Sequence, residues 1–179
     1  MTKTRWLLAA LALSAGVLLT MTFVGWLLPE QHMARATITL DQPADSVWST
    51  IRDLQSYADW WPQVRAMKRI PNRDKETWSQ IDKYGDELPI EIIESEPSRR
   101  LVTRIAGEDL AFGGTWTYEL TASVAGTTLN ITEDGQIYNP LFRLIARFVL
   151  GYHATLDAYL KALARRFGEE PDIAHPPPG

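Results

Sequence analysis

The apolar positions of this chain begin as one unbroken run and then settle into shorter segments that alternate between the period of a strand and that of a helix. Between Trp6 and Leu28, WLLAALALSAGVLLTMTFVGWLL carries no charge. About 20 apolar residues, each rising about 1.5 Å, suffice to cross a hydrocarbon core of about 30 Å. Trp6 and Trp26 are spaced to set one indole in each interface. The pattern predicts a transmembrane anchor over 6–28, preceded by residues 1–5 and followed by a connector over 29–34 and a domain over 35–168. A cleaved secretory signal is the rival reading, with Lys3 and Arg5 as its basic start and Ala34-Arg35-Ala36 as a small-residue cleavage site. An apolar signal core of about 7 to 15 residues is shorter than this run, and cutting after Ala36 would remove the start of the first strand. Lys3 and Arg5 before the span, against Arg35 soon after it, orient the N-terminus to the cytoplasm and the domain outward, to a periplasm or outer surface.

ARATITL alternates as a short strand. PADSVWSTIRDL follows, with Pro43 suited to a first helical turn, Asp45 favourable at a helix N-terminus, and Val47, Trp48 and Ile51 on one face. SYADWWP predicts a second brief helical turn that stops at Trp61, because a residue before proline is pushed out of the helical region. VRAMKRI, ETWSQIDKY, LPIEIIESE, RLVTRIAG, GTWTYELTAS and TTLNITEDGQIY then read as strands of an antiparallel meander, separated by glycine and proline turn signals. Pro140 opens a long helix. In it Leu141, Leu144, Ile145, Phe148, Val149, Tyr152, Leu156, Tyr159, Leu160, Leu163 and Phe167 form one stripe, with Arg143, Arg147, Asp157, Lys161 and Arg165 off it.

Charge narrows the partners. Removing Lys3, Arg5 and Glu30 from the chain's 18 basic and 22 acidic residues leaves a net charge of −5 from Arg35 onward. That sign repels phosphate backbones and argues against nucleic acid. The absence of cysteine excludes thiolate nucleophiles and cysteine metal sites, and it fits either side of a membrane. Residues 169–179, EEPDIAHPPPG, are acidic and proline-rich with little to bury, which predicts a disordered tail.

This order of elements, an α+β arrangement, places a curved antiparallel sheet around a long C-terminal helix. It resembles the helix-grip fold of the START-like (SRPBCC) superfamily, nearest its polyketide cyclase/dehydrase and lipid-transport branch. LDQPADSVWSTIRDLQSYADWWPQV carries the resemblance as strand, proline-led helix and aromatic elbow, and GGTWTYEL and TEDGQIYNPLFRLIARFVLG support it. The similarity covers roughly residues 35–167 and is architectural, with no invariant catalytic set to carry across. It implies a hydrophobic ligand held between sheet and helix, and, in a minority of members, catalysis in the same cavity.

A cavity follows from geometry as well, since a sheet curved around one helix leaves space where the helix does not fill the concave face. In GTWTYELTAS the phase of Trp116, Tyr118, Leu120 and Ala122 is apolar; in TTLNITEDGQIY it is Leu129, Ile131, Gly135 and Ile137. A two-residue loop at Ala125-Gly126 would set Trp116 opposite Gly135 and Tyr118 opposite Glu133, with both apolar phases on one face. Glu133 is the anomaly in its phase. Two readings stand: a rim carboxylate bonded to Tyr118 or Arg104 that orders the fold, or a ligand anchor or general acid/base with a raised pKa. Asp134 alternates to the outer face.

The candidate pocket residues are Trp78, Ile90 and Ile92 from the middle strands and Trp116, Tyr118 and Leu120 from GTWTYELTAS. Ile131, Glu133, Phe148, Tyr152 and Leu156 complete them. His32 lies beside the membrane, His153 at the border of the helix stripe and His175 in the tail. No pair has metal-ligand spacing, and neither a metal nor a cofactor is expected. There is no nucleophile elbow, phosphate loop or dinucleotide fingerprint. The leading expectation is a membrane-tethered module that binds a lipid or other hydrophobic small molecule. About six connector residues at no more than about 3.6 Å each hold it within roughly 20 Å of the bilayer. The alternatives are a cyclase or dehydratase using Glu133 and Tyr118 in that cavity, and an interaction domain with a filled core.

Overall fold

A computed structural model describes residues 3–107 and 110–177; Met1, Thr2, Pro178 and Gly179, the outer ends of the expected N-terminus and tail, lie outside the described residues. Helix α1 spans Lys3–Leu27, long and apolar enough to cross a membrane, and its side chains are exposed from Lys3 through Thr20. Strand β1 spans Gln31–Leu40, with Ala34, Ala36, Ile38 and Leu40 all but fully buried on one phase. The connector expected over 29–34 is therefore mostly strand, and only Pro29 and Glu30 lie between the turn that ends α1 at Leu28 and the sheet. The cause is the partner strand. It continues far enough to set Gln31 against Gln136 and His32 against Gly135, and the Ile137 N–H donates to the Glu30 carbonyl at 2.9 Å.

Helix α2, Ala44–Arg52, buries Val47 and Ile51. A single tight turn over Leu54–Ser56 leads into α3, Tyr57–Trp60, and Trp61 is extended before Pro62, as the proline requires. The meander follows as β2 (Val64–Ile70), β3 (Thr77–Asp82), β4 (Glu87–Glu96), β5 (Arg100–Ile105), β6 (Phe112–Ser123) and β7 (Gly126–Ile137). With β8, Ile173–Ala174, the eight strands run in the order β2-β3-β4-β5-β6-β7-β1-β8. The crossing from β1 to β2 carries α2 and α3 from one end of the sheet to the other.

Strands β6 and β7 pair two residues away from the expected register. Ser123 faces Gly126, so the loop is Val124-Ala125, and Trp116 rather than Tyr118 faces Glu133. Gly126 reads as a turn residue but is the first residue of the ladder. Because side chains alternate with a period of two, a shift of two leaves every residue on its expected face. A bulge between Ile92 and Glu94 in β4 helps bend the sheet.

The expected single long helix is broken. Helix α4, Pro140–Ile145, passes into a wider π turn over Ala146–Leu150, Gly151 takes a left-handed φ of 76°, and α5 covers Ala154–Arg166. Only the second half of the stripe grips the sheet: Leu156, Tyr159, Leu160 and Leu163 are fully buried, whereas Phe148 is 67% exposed and Val149 72%. Gly151 resets the helical phase, which a single period run through it misses. Arg143, expected off the stripe, is buried. Its guanidinium donates to the carbonyls of Leu28, Ile137 and Tyr138 and pairs with Glu30 at 2.7 Å, tying α1, β7 and α4 together.

The segment after α5 is not a loose tail through residue 177. Ile173 and Ala174 pair with Ile38 and Thr37 of β1, and the Glu169 carboxylate accepts from the Asp41 N–H and the Gln42 side-chain amide, each at 3.0 Å. His175 reaches Asp157 at 2.7 Å. One apolar side chain, Ile173, packs on the core, too little for the composition to reveal.

Candidate functional site

The floor of the site is an aromatic cluster built from three elements, α3 with the residue that ends it, β6 and α5. Tyr159 of α5 meets Tyr57, Trp60, Trp61, Trp116 and Tyr118 edge-on, with ring centroids 5.0–6.0 Å apart. Such edge contacts join a ring's positive rim to a negative face and fix orientations as well as burying area. The Tyr57 hydroxyl donates to the Ile51 carbonyl at 2.6 Å and lies 3.3 Å from that of Tyr159. Burial raises the pKa of Tyr57, Tyr118 and Tyr159 well above the ordinary phenol value, so all three stay protonated donors.

Above this floor a cavity of about 300 Å³ lies between the concave sheet and the C-terminal helices. Its lining is mainly apolar: Leu88 and Ile90 of β4, Ile105 of β5, Phe112 and Trp116 of β6, Ile137 of β7, and Phe142, Ala146 and Leu150 on the helical side. Polar atoms are few and placed apart. The buried Trp61 indole nitrogen, Gln80 Oε1 and His32 Nδ1 have no hydrogen-bond partner among the described residues, and all three residues line the cavity. Buried polar groups are nearly always paired, so three orphans around one cavity mark the places where an occupant would be held.

Glu133 sits on the cavity wall as its phase predicts. Its partners differ from both expectations: the Trp116 indole N–H donates to Oε2 at 3.0 Å, and His32 Nε2 lies 3.2 Å from Oε1. Arg104 is engaged elsewhere, with Glu91 at 2.5 Å. The His32 ring stacks under Tyr152 at 4.2 Å on one side and covers Gly135 on the other, where a side chain on Gly135 would collide with the imidazole. Four elements thus converge on one carboxylate: β1 supplies His32, β6 Trp116, β7 Glu133 and Gly135, and the turn before α5 brings Tyr152. Asp134 is exposed, as its alternation requires.

Of the expected pocket residues, Ile90, Trp116, Tyr118, Glu133 and Tyr152 line the cavity. Ile92, Leu120, Ile131 and Leu156 are buried in the core beneath it. Trp78 packs at the core's edge with its indole N–H on Glu76 at 2.8 Å, and Phe148 faces outward. Sequence reasoning missed His32, Gln80 and Thr103. For His32 a signal existed: it shares the phase of Ala34, Ala36 and Ile38, and extending β1 by one inward position would have found it. Among the described residues no group of acidic, histidine or cysteine side chains is arranged to hold a metal ion.

Residues 31–168 match the family described as polyketide cyclase / dehydrase and lipid transport. The chain belongs to that family. The matched segment begins at the first residue of β1 and ends just after α5, so the whole cavity falls inside it. No curated protein matches the chain. Among solved structures, a START superfamily protein from Mycobacterium smegmatis is similar at a TM-score of 0.60 and 16% identity, over 75% of this chain and 96% of that one. A conserved protein from Geobacillus kaustophilus gives 0.62 and 16%, over 80% and 100%. The Zhui aromatase/cyclase from Streptomyces sp. R1128 gives 0.59 and 17%, over 76% and 93%. At these identities the structural likeness establishes the START-like fold, with α1 an addition outside the polyketide cyclase/dehydrase unit.

Proposed function

We propose that this protein is a membrane-tethered binding module that holds one hydrophobic molecule bearing a few polar groups in the cavity between sheet and helix. The supporting observation is the cavity itself, an apolar space whose orphaned polar atoms on Trp61, Gln80 and His32 and whose carboxylate Glu133 are set apart along its walls. Its volume lies at the lower end of the range of about 300–1,000 Å³ usual for small-molecule sites, which suits a single acyl chain or a fused-ring compound better than a two-tailed lipid. A filled core, on which a pure interaction role rested, does not agree with it. Helix α1 serves as the anchor, with the basic N-terminus on the cytoplasmic side and the domain outside.

Two measurements test this reading. The full chain should remain with membranes through carbonate washing; recovery of a soluble form beginning near Thr37 would make α1 a cleaved signal. Solvent extraction and mass spectrometry of the purified full chain should yield one stoichiometric apolar compound that is lost from Ile90→Trp, a substitution that fills the cavity. The same content in both proteins, or none in either, removes the binding role.

A second reading is supported by the pairing of His32 with Glu133, an imidazole and a carboxylate placed to share a proton on the wall of an apolar cavity. A cyclase or dehydratase would use them to move protons on a bound polyketide chain. Turnover that persists in Glu133→Gln rules out this use.

A further inference from the structure

The segment between β7 and α5 is apolar on both of its sides, and the core explains only one of them. Phe142, Ala146, Leu150, Gly151 and Tyr152 form a wall of the cavity. On the outer side Phe148 and Val149, with part of Leu150, stand in succession at 67%, 72% and 55% exposure, next to exposed Arg147. Three consecutive large apolar side chains facing outward from a well-packed domain mark an interaction surface.

Where that surface lies is fixed by α1. The α1 residues that lose exposure are Met21 and Gly25, one helical turn apart on one face and followed by Leu28 just past the helix, and α4 is the element packed there. Contact is close enough that a side chain at Gly25 would collide with the Pro140 carbonyl. From Met21 to Leu27 the helix advances about 9 Å. If α1 spans a bilayer, α4 lies beside the last two turns of the span, and the π turn that continues directly from it is carried near the depth of about 5–10 Å where interfacial helices bury their apolar faces. Arg147 lies at the same place, with an apolar stem and a charged end able to reach phosphates.

We propose that Phe148, Val149 and Leu150 are inserted into the lipid leaflet on the domain's side of the membrane, so that the cavity wall formed by the same turn abuts the bilayer. The occupant of this surface is lipid, and the cavity exchanges its molecule with the leaflet rather than with water. This rests on the reading of α1 as a membrane span.

The absence of cysteine makes the test direct. Single variants Phe148→Cys and Val149→Cys, and Val124→Cys in the β6–β7 turn, are labelled with an environment-sensitive fluorophore in the full chain. They are reconstituted into phosphatidylcholine vesicles carrying a spin label near the headgroup end of the acyl chains. Val124 is the control because it lies at the far end of β1, about 30 Å from Gln31 at about 3.3 Å per residue. The label at 148 or 149 should shift to the blue and be quenched several-fold, with 124 unaffected. Because all three positions are exposed, the variants should melt as the unsubstituted chain does. Vesicle-bound protein with unquenched labels at 148 and 149 overturns the insertion and leaves the anchor standing, as does equal quenching at 124. Loss of the protein from vesicles on carbonate washing removes the anchor, and the insertion with it.

Discussion

Arg143 offers the most quantitative check on how α1 and the domain are joined. Its side chain is nearly inaccessible and donates at 2.7 Å to the Ile137 carbonyl, at 3.2 Å to that of Leu28, at 2.9 Å to that of Tyr138 and at 2.7 Å to Glu30. In Arg143→Met the aliphatic volume is largely kept and all donors are lost. Tyr138 is half exposed and the Glu30 side chain more than half, so their oxygens can turn to water; the Leu28 and Ile137 carbonyls are stranded. An unsatisfied buried acceptor costs about 1–3 kcal/mol, and some of this is returned because a buried charge no longer has to be desolvated. A net loss of about 2–4 kcal/mol is expected. At roughly 4 °C per kcal/mol for a domain of this size, the melting temperature of the full chain in detergent should fall by roughly 8–15 °C in calorimetry. Arg147→Met, at an exposed neighbour, should stay within about 0.5 kcal/mol. Equal melting temperatures for the two variants would falsify the placement of the guanidinium between α1 and β7.

Three further outcomes are expected. Phe148→Ala should change stability by no more than about 0.5 kcal/mol, whereas Leu160→Ala, on the fully buried face of α5, should cost about 2–5 kcal/mol in denaturant titration; the reverse order would restore the unbroken helical stripe. The folded-state pKa values of Tyr57, Tyr118 and Tyr159 are raised, so the stability they contribute is complete below about pH 10 and is lost as pH climbs through the raised values. In an alkaline titration followed by phenolate absorbance, these three of the six tyrosines should ionise only as the protein unfolds, and ionisation with near-native circular dichroism would contradict their burial. Glu133→Gln keeps an acceptor for the Trp116 indole while removing the charge beside His32, so it should change the amount of co-purified ligand more than the melting temperature; an unchanged ligand content would leave only the apolar walls as the binding determinant.

The helix-grip arrangement was legible because its signals are periodic. Alternation in β6 and β7 gave the inward face even though the register moved, since Glu133 stays inward whether it faces Tyr118 or Trp116. The features that escaped are those in which one residue overrides a period. Gly151 divides what a 3.6-residue pattern joins, and it turns Phe148 and Val149 from expected core into surface. Arg143 reads as a solvated side chain because three of its four partners are backbone carbonyls, which leave no mark in a sequence, and the fourth, Glu30, is more than a hundred residues away. His32 was passed over for the same kind of reason: its inward phase is visible, but its neighbours Glu133 and Tyr152 are about a hundred residues away in the chain, and only the pairing of β1 with β7 brings them together.

If α1 is the proposed anchor, the three-residue connection between α1 and β1 makes it a mast rather than a leash. A flexible tether lets a domain sample a volume that grows with its length, and its effective concentration at any target falls accordingly. Leu28 and Glu30, at the two ends of this connection and clamped by Arg143 and the Ile137 N–H, give the domain no such volume. In a membrane its distance from the surface and the direction in which its cavity points are then fixed by the fold, and what remains free is travel in the plane and rotation about the axis of α1. On the proposed reading of α1 as a span, whatever the domain exchanges its ligand with must therefore meet the cavity at one depth and reach it by travel in the plane of the bilayer.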